Sequence, residues 1–247
     1  MTEARKLKIL CIHGYRQNGK AFTEKTGSFR KIVKKYADLI YISAPHKVPP
    51  GNLGSAAWTT QPPGSSQTVG PDGAGVTEGK DSDERGWWFS REDDYFKSTD
   101  YSDISKGFDA SLQMIINILE NENSGGFDGI IGFSQGACLV SILCLIQQME
   151  KKKWFKFAVL FSGFKSPSSN HNKYYTQKAT IPSLHVFGDS DQIITADRCE
   201  ELMSFFENPK SLRHPGGHFV PGSAPQKKVY IEFFEEMVQY CQNVQHS

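Results

Sequence analysis

Gly132-Phe133-Ser134-Gln135-Gly136 sets a serine between two glycines, the spacing used for nucleophilic acyl transfer. Composition alone makes this weak evidence. In an average protein Gly and Ser each occupy about 7% of positions, so GxSxG arises by chance in about 8% of chains this long. The context strengthens it. The motif follows the apolar run Gly129–Phe133 and opens a longer one, Ala137–Met149, which is the strand–turn–helix placement that a nucleophile elbow requires. A sharp turn there projects the serine hydroxyl, and neighbours larger than glycine would clash. The helix start behind it offers N–H groups and a positive dipole end where an oxyanion would form.

A serine hydroxyl is a poor nucleophile near neutral pH and needs a base with an orienting acid. In this architecture the order is Ser, then acid, then His. His214 and His218 lie late in the chain, before a tail His246. His218 is preferred as the base, because His214-Pro215-Gly216-Gly217-His218 is a small-residue loop that can bring an imidazole to Ser134. His214, before a proline at a strand end, reads as structural. For the acid, Gly188-Asp189-Ser190-Asp191 offers two aspartates. Asp191 lies further out on the turn and is preferred, while Asp189 is suited to hold the turn through local backbone hydrogen bonds. The two oxyanion donors are expected to be the N–H groups of Gln135 and Tyr15. His13, at the end of the first strand, is assigned a structural role.

The elements that must carry these residues alternate. Strands are expected at Leu7–Ile12, Leu39–Ser43, Gly129–Phe133, Phe157–Ser162, Leu184–Phe187 and Lys210–Arg213. Helices are expected over Ala21–Tyr36, 103–121, Ala137–Met149, 196–206 and 225–241, from apolar residues at helical spacing. The pattern predicts one α/β domain over residues 1–247, with a mostly parallel sheet and helices on both faces. Residues 47–84 break the rhythm. Seven Gly, five Pro and four Ser fill 16 of those 38 positions, so the stretch reads as an insertion, either an active-site lid or a segment without a role. After it, Trp87, Trp88 and Phe89 place three aromatics in a row, more than one strand face can bury. With Phe133 they are candidate pocket walls.

The 247 residues carry 28 Lys+Arg against 27 Asp+Glu, a formal charge of +1. That balance gives no reason to expect nucleic acid or an anionic membrane as partner. Five cysteines, none in a CxxC pair, fit reduced thiols in a cytoplasmic protein better than a disulfide scaffold or zinc site. No stretch approaches the roughly 18 apolar residues of a membrane span, so no stable membrane anchor is expected. No cluster of His, Cys and Asp has ligand spacing, so neither metal nor cofactor is expected.

Four ordered motifs carry a resemblance that covers nearly the whole chain. They are Ile9-Leu-Cys-Ile-His-Gly-Tyr-Arg-Gln-Asn, Phe127-Asp-Gly-Ile-Ile-Gly-Phe-Ser-Gln-Gly-Ala, Gly188-Asp-Ser-Asp and Pro215-Gly-Gly-His. Together they resemble the FSH (family of serine hydrolases) group of α/β-hydrolases, and its animal, ovarian-cancer-associated esterase branch in particular. Gly86-Trp-Trp-Phe-Ser and Ser183-Leu-His-Val-Phe-Gly-Asp add to the match. The resemblance implies the α/β-hydrolase fold, with Ser134, Asp191 and His218 as catalytic triad. It also implies hydrolysis of carboxylic esters, long-chain alkyl or acyl esters being favoured, so the expected partner is a small-molecule or lipid-like ester. Residues 47–84 follow no family pattern. The rival readings are an acyl-protein or acyl-CoA thioesterase, which would use the same machinery, and a non-catalytic binding protein on a hydrolase scaffold.

Overall fold

The computed structural model describes residues 5–50, 83–121 and 126–244. Most of the Gly/Pro/Ser-rich insertion, residues 51–82, lies outside them. Strand β1 (Leu7–Ile12) leads through helices α1 (Gly19–Lys25) and α2 (Gly27–Val33) to β2 (Ala37–Ile42). The short strands β3 (His46–Lys47) and β4 (Arg85–Gly86) flank the insertion and pair antiparallel, which brings its two ends together. Then follow α3 (Phe108–Glu120), β5 (Gly129–Phe133), α4 (Gln135–Glu150) and β6 (Phe157–Phe161). The chain closes with β7 (Ser183–Gly188), α5 (Ala196–Met203), β8 (Lys210–His214) and α6 (Ala224–Val244). Six of the strands form one parallel sheet in the order β2-β1-β5-β6-β7-β8.

The sheet is covered on both faces, and strand side chains alternate between two apolar cores as a period of two requires. Leu10, Ile12, Ile130, Ala158, Leu160 and Phe187 pack with α3, α4 and α5. Leu7, Ile9, Cys11, Ile131, Phe157, Val159 and Val186 pack with Phe22 and Phe29 and with Tyr230, Phe233 and Phe234 of α6. Helix α4 is buried along almost its whole length, from Gln135 to Gln147, which explains why its sequence is apolar on every side.

Two helices differ from the sequence expectation for identifiable reasons. The helix expected over Ala21–Tyr36 is two, broken at Thr26. The Thr26 hydroxyl donates back to Phe22 O at 2.8 Å and meets Tyr41 Oη at 2.6 Å, so it holds the chain against β2 rather than continuing the turn. The helix expected over 103–121 begins at Phe108, because Gly107 sits at φ 85. A Cβ there would lie 2.5 Å from the His46 ring. Among the described residues no helix is long and apolar enough to cross a membrane.

Candidate active site

Ser134 follows β5 directly, at φ 53 and ψ −116, a backbone conformation that strains any residue with a Cβ. The turn survives because its neighbours have no side chains. A Cβ on Gly132 would lie 2.6 Å from Ala137 Cα, and one on Gly136 would lie 2.4 Å from both Ile12 O and His13 O. The Ser134 N–H is held by Phe161 O at 2.9 Å. Gln135 opens α4, so its own N–H has no carbonyl one turn back within the helix. The elbow predicted from the motif is therefore present in geometry.

Asp191 and His218, the expected acid and base, lie within hydrogen-bond reach of each other. His218 Nδ1–H donates to Asp191 Oδ2 at 2.7 Å, and both side chains are buried. The Phe133 ring lies 4.8 Å from the imidazole, centre to centre. Asp191 accepts three further hydrogen bonds. The N–H groups of Ile193 and Ile194 reach Oδ1 at 2.9 Å each, and Ser162 Oγ reaches Oδ2 at 3.0 Å. Burial alone would push this carboxyl up. The hydrogen bond and charge of His218, with the two amides, outweigh burial and hold it below the usual carboxylate range.

The alternatives go elsewhere. Asp189 is half exposed and pairs with Arg213 at 2.7 Å. The local turn bonds expected of Asp189 are made by Asp191 instead, which serves its turn and His218 at once. His214 is buried against Phe219 and accepts the Gly216 N–H at 3.2 Å. His13 is structural, as its place at the strand end suggested. Its Nδ1–H donates to Gly14 O at 2.7 Å, its Nε2 accepts the Ala44 N–H at 2.9 Å, and burial pushes it down to about 4, keeping it neutral.

The aromatic triplet corrects the sequence reading. Trp87 and Trp88 are 0% and 1% exposed, so neither offers a face to a pocket. Trp87 leans on His13 and donates its indole N–H to His13 O at 2.8 Å. Trp88 meets Phe96, Phe108 and His171 edge to face. Phe89 is also buried, its N–H donating to Lys106 O. Tyr15 turns its ring onto Phe96, while Arg16 and Gln17 beside it exchange backbone hydrogen bonds with Arg85.

Two side-chain roles escaped the sequence reading. The Gln135 carboxamide accepts the Trp87 N–H at 2.9 Å and donates to Trp88 O at 2.8 Å, clamping the chain after the insertion onto the elbow. Ser162 reaches Asp191 from the end of β6. The available signals were slight: a polar side chain inside the pentapeptide, and a hydroxyl just after a strand that neighbours the elbow.

The family model described as "Serine hydrolase (FSH1)" matches residues 1–230. Esterase OVCA2 of Xenopus tropicalis is 43% identical over 239 residues, covering 96% of this chain and 96% of that protein. Esterase OVCA2 of Homo sapiens is 35% identical over 246 residues, covering 97% of this chain and all of that protein. Among solved structures, SOBER1 of Arabidopsis thaliana superposes with a TM-score of 0.57 at 15% identity, over 95% of this chain and 100% of that one. A Bacillus cereus carboxylesterase gives 0.56 at 14%, over 95% and 90%. These likenesses identify the fold as that of α/β-hydrolases. With a family match over residues 1–230 and relatives at up to 43% identity over nearly the full length, the chain belongs to the FSH1 family of serine hydrolases and is an esterase-type enzyme.

Proposed function

We propose that the enzyme is a carboxylesterase that works through Ser134, Asp191 and His218 with an acyl-enzyme intermediate. The observation that carries this is the 2.7 Å bond from His218 Nδ1–H to Asp191 Oδ2, made at the same sheet edge as the strained Ser134 turn. Asp191 fixes the tautomer, leaving Nε2 as the base that takes the Ser134 proton as Oγ attacks the ester carbonyl. The N–H groups of Gln135 and Tyr15 hold the oxyanion, each donor worth about 3 kcal/mol in the transition state. His218 then returns the proton to the departing alcohol. A water molecule, activated by the same imidazole, hydrolyses the acyl-enzyme and frees Ser134.

The preferred substrates are long-chain alkyl or acyl esters. The family resemblance supports this. Each methylene of an acyl chain buried against apolar side chains contributes about 0.8 kcal/mol. The five buried, unbridged thiols support a reducing, cytoplasmic setting.

Hydrolysis of p-nitrophenyl esters from acetyl to palmitoyl tests both parts. Rates should climb with chain length and vanish in Ser134→Ala, which loses a single hydroxyl and keeps its fold. Wild-type rates in that variant would remove Ser134 as the nucleophile. Rates highest on acetyl would keep the triad and remove the long-chain preference.

A further inference from the structure

Strand β6 lies between β5 and β7, and its end joins the two turns that matter. Phe161 O accepts the Ser134 N–H at 2.9 Å, and the next residue, Ser162, donates its N–H to Val186 O of β7 at 2.8 Å. Its hydroxyl continues to Asp191 Oδ2 at 3.0 Å. Ser162 is fully buried and stands at φ 46, where glycine would be unstrained and a residue with a Cβ is uncommon. A strained serine therefore occupies a place that suits glycine, and its hydroxyl makes one contact with the acid.

The oxygen it touches matters. Oδ1 of Asp191 is occupied by the amides of Ile193 and Ile194, while Oδ2 receives His218 Nδ1–H at 2.7 Å. Held by Oδ1 alone, the carboxylate could twist about its Cβ–Cγ bond and carry Oδ2 out of the imidazole plane. A second donor on Oδ2 closes that freedom. The titratable side chains that act on this carboxyl or feel its charge are His218, His214 from the end of β8 and Cys199 of α5. Ser162 adds a donor that stays neutral at every working pH.

We propose that Ser162 is a positioning residue, whose hydroxyl fixes the Asp191 oxygen that orients His218 and so ties the acid turn to the nucleophile turn. The inference rests on the triad reading above. Two variants test it. Ser162→Ala removes the hydroxyl, and Ser162→Gly does so while relieving the backbone, so a folded protein is expected from at least the second. Both should lower kcat about tenfold, the worth of one hydrogen bond to a charged group, and leave KM within about twofold. In both, the downfield proton resonance of His218 Nδ1–H should move from its wild-type position, a change that a purely structural role would not produce. Wild-type kcat in folded Ser162→Gly, or an unmoved resonance, would overturn the proposal. A wild-type enzyme inactive on every ester, with Ser134 unreactive toward a fluorophosphonate, would instead overturn the triad reading. The resonance would still decide the Ser162 contact.

Discussion

Gly188 ends β7, opposite His214 of β8, three residues before Asp191 and beside the loop that carries His218. A Cβ built there lies 2.0 Å from Gly216 O and 2.8 Å from Gly217 O. In Gly188→Ala the Gly216 carbonyl must retreat by about 1.4 Å to reach ordinary contact near 3.4 Å. It cannot simply rotate away, because it accepts the Ser190 N–H at 3.1 Å, and the neighbouring Asp189 N–H is bound to His214 O at 2.8 Å. The loop from 216 to 218 must therefore move as a piece and lengthen the 2.7 Å bond between His218 and Asp191. Misplacing a catalytic group by about 1 Å costs about 100-fold in rate, and that is the predicted fall in kcat/KM. The overpacking itself should cost about 1–3 kcal/mol of stability. The assay is hydrolysis of a p-nitrophenyl ester, with urea unfolding to confirm that the variant is folded. Gly27→Ala is the control, since nothing lies within 4 Å of a Cβ at that position. It should retain full activity. A folded Gly188→Ala enzyme within about threefold of wild-type kcat/KM would refute the argument, because a loss that small removes little transition-state stabilisation.

Gln135→Met keeps the shape of the side chain but leaves the Trp87 N–H and Trp88 C=O without their partner inside the core. Stability should fall by about 2–4 kcal/mol, two unmet buried groups at about 1–2 kcal/mol each. Urea unfolding checks this, and a variant as stable as wild type would show that the clamp carries nothing. The second prediction concerns acid. Burial holds His13 and His171 down to about 4 and His185 down to about 3, all below their ordinary value near 6.5. Unfolding therefore takes up protons between those values, and stability, intact above about pH 6.5, should fall as pH drops toward 4. With three such groups the slope near pH 5 approaches about 4 kcal/mol per pH unit. Equal unfolding midpoints at pH 7 and pH 5 would rule out the buried neutral histidines as its cause.

The centre of the sheet was readable in advance because β5 and β6 are short, apolar runs separated by a helical period, a pattern set by burial on both faces. That Ser134, Asp191 and His218 each follow a strand was readable from the alternation of strand and helix segments. What stayed open was decided by partners distant in sequence. The choice between Asp189 and Asp191 turns on Arg213, 24 residues away from Asp189, and on the imidazole of His218. The fate of Trp87 and Trp88 turns on His13, Gln135 and Phe108, none of which their own sequence neighbourhood reveals. Adjacent aromatics read as excess apolar surface when they are assumed to lie in a strand. Here residues 87 and 88 lie outside any strand, so their side chains are free to enter different parts of the core.

The site is a consequence of parallel register. Strands β5, β6, β7 and β8 are neighbours in chain order, so their C-terminal ends form one continuous edge. Phe133 pairs with Phe161, Phe161 with Val186, and Gly188 with His214. Ser134 and Ser162 are the next residues after the first pair, and Asp191 and His218 lie a short turn beyond the last. A slip of one residue between any two strands would displace one turn by about 3.3 Å along the sheet and bring the wrong side-chain faces inward. Either change would break hydrogen bonds of 2.7 to 3.0 Å around Asp191. The two apolar cores that hold the register thus also hold the chemistry. Large-to-small substitutions in β6 or β7 should lower activity even where no altered side chain touches the site.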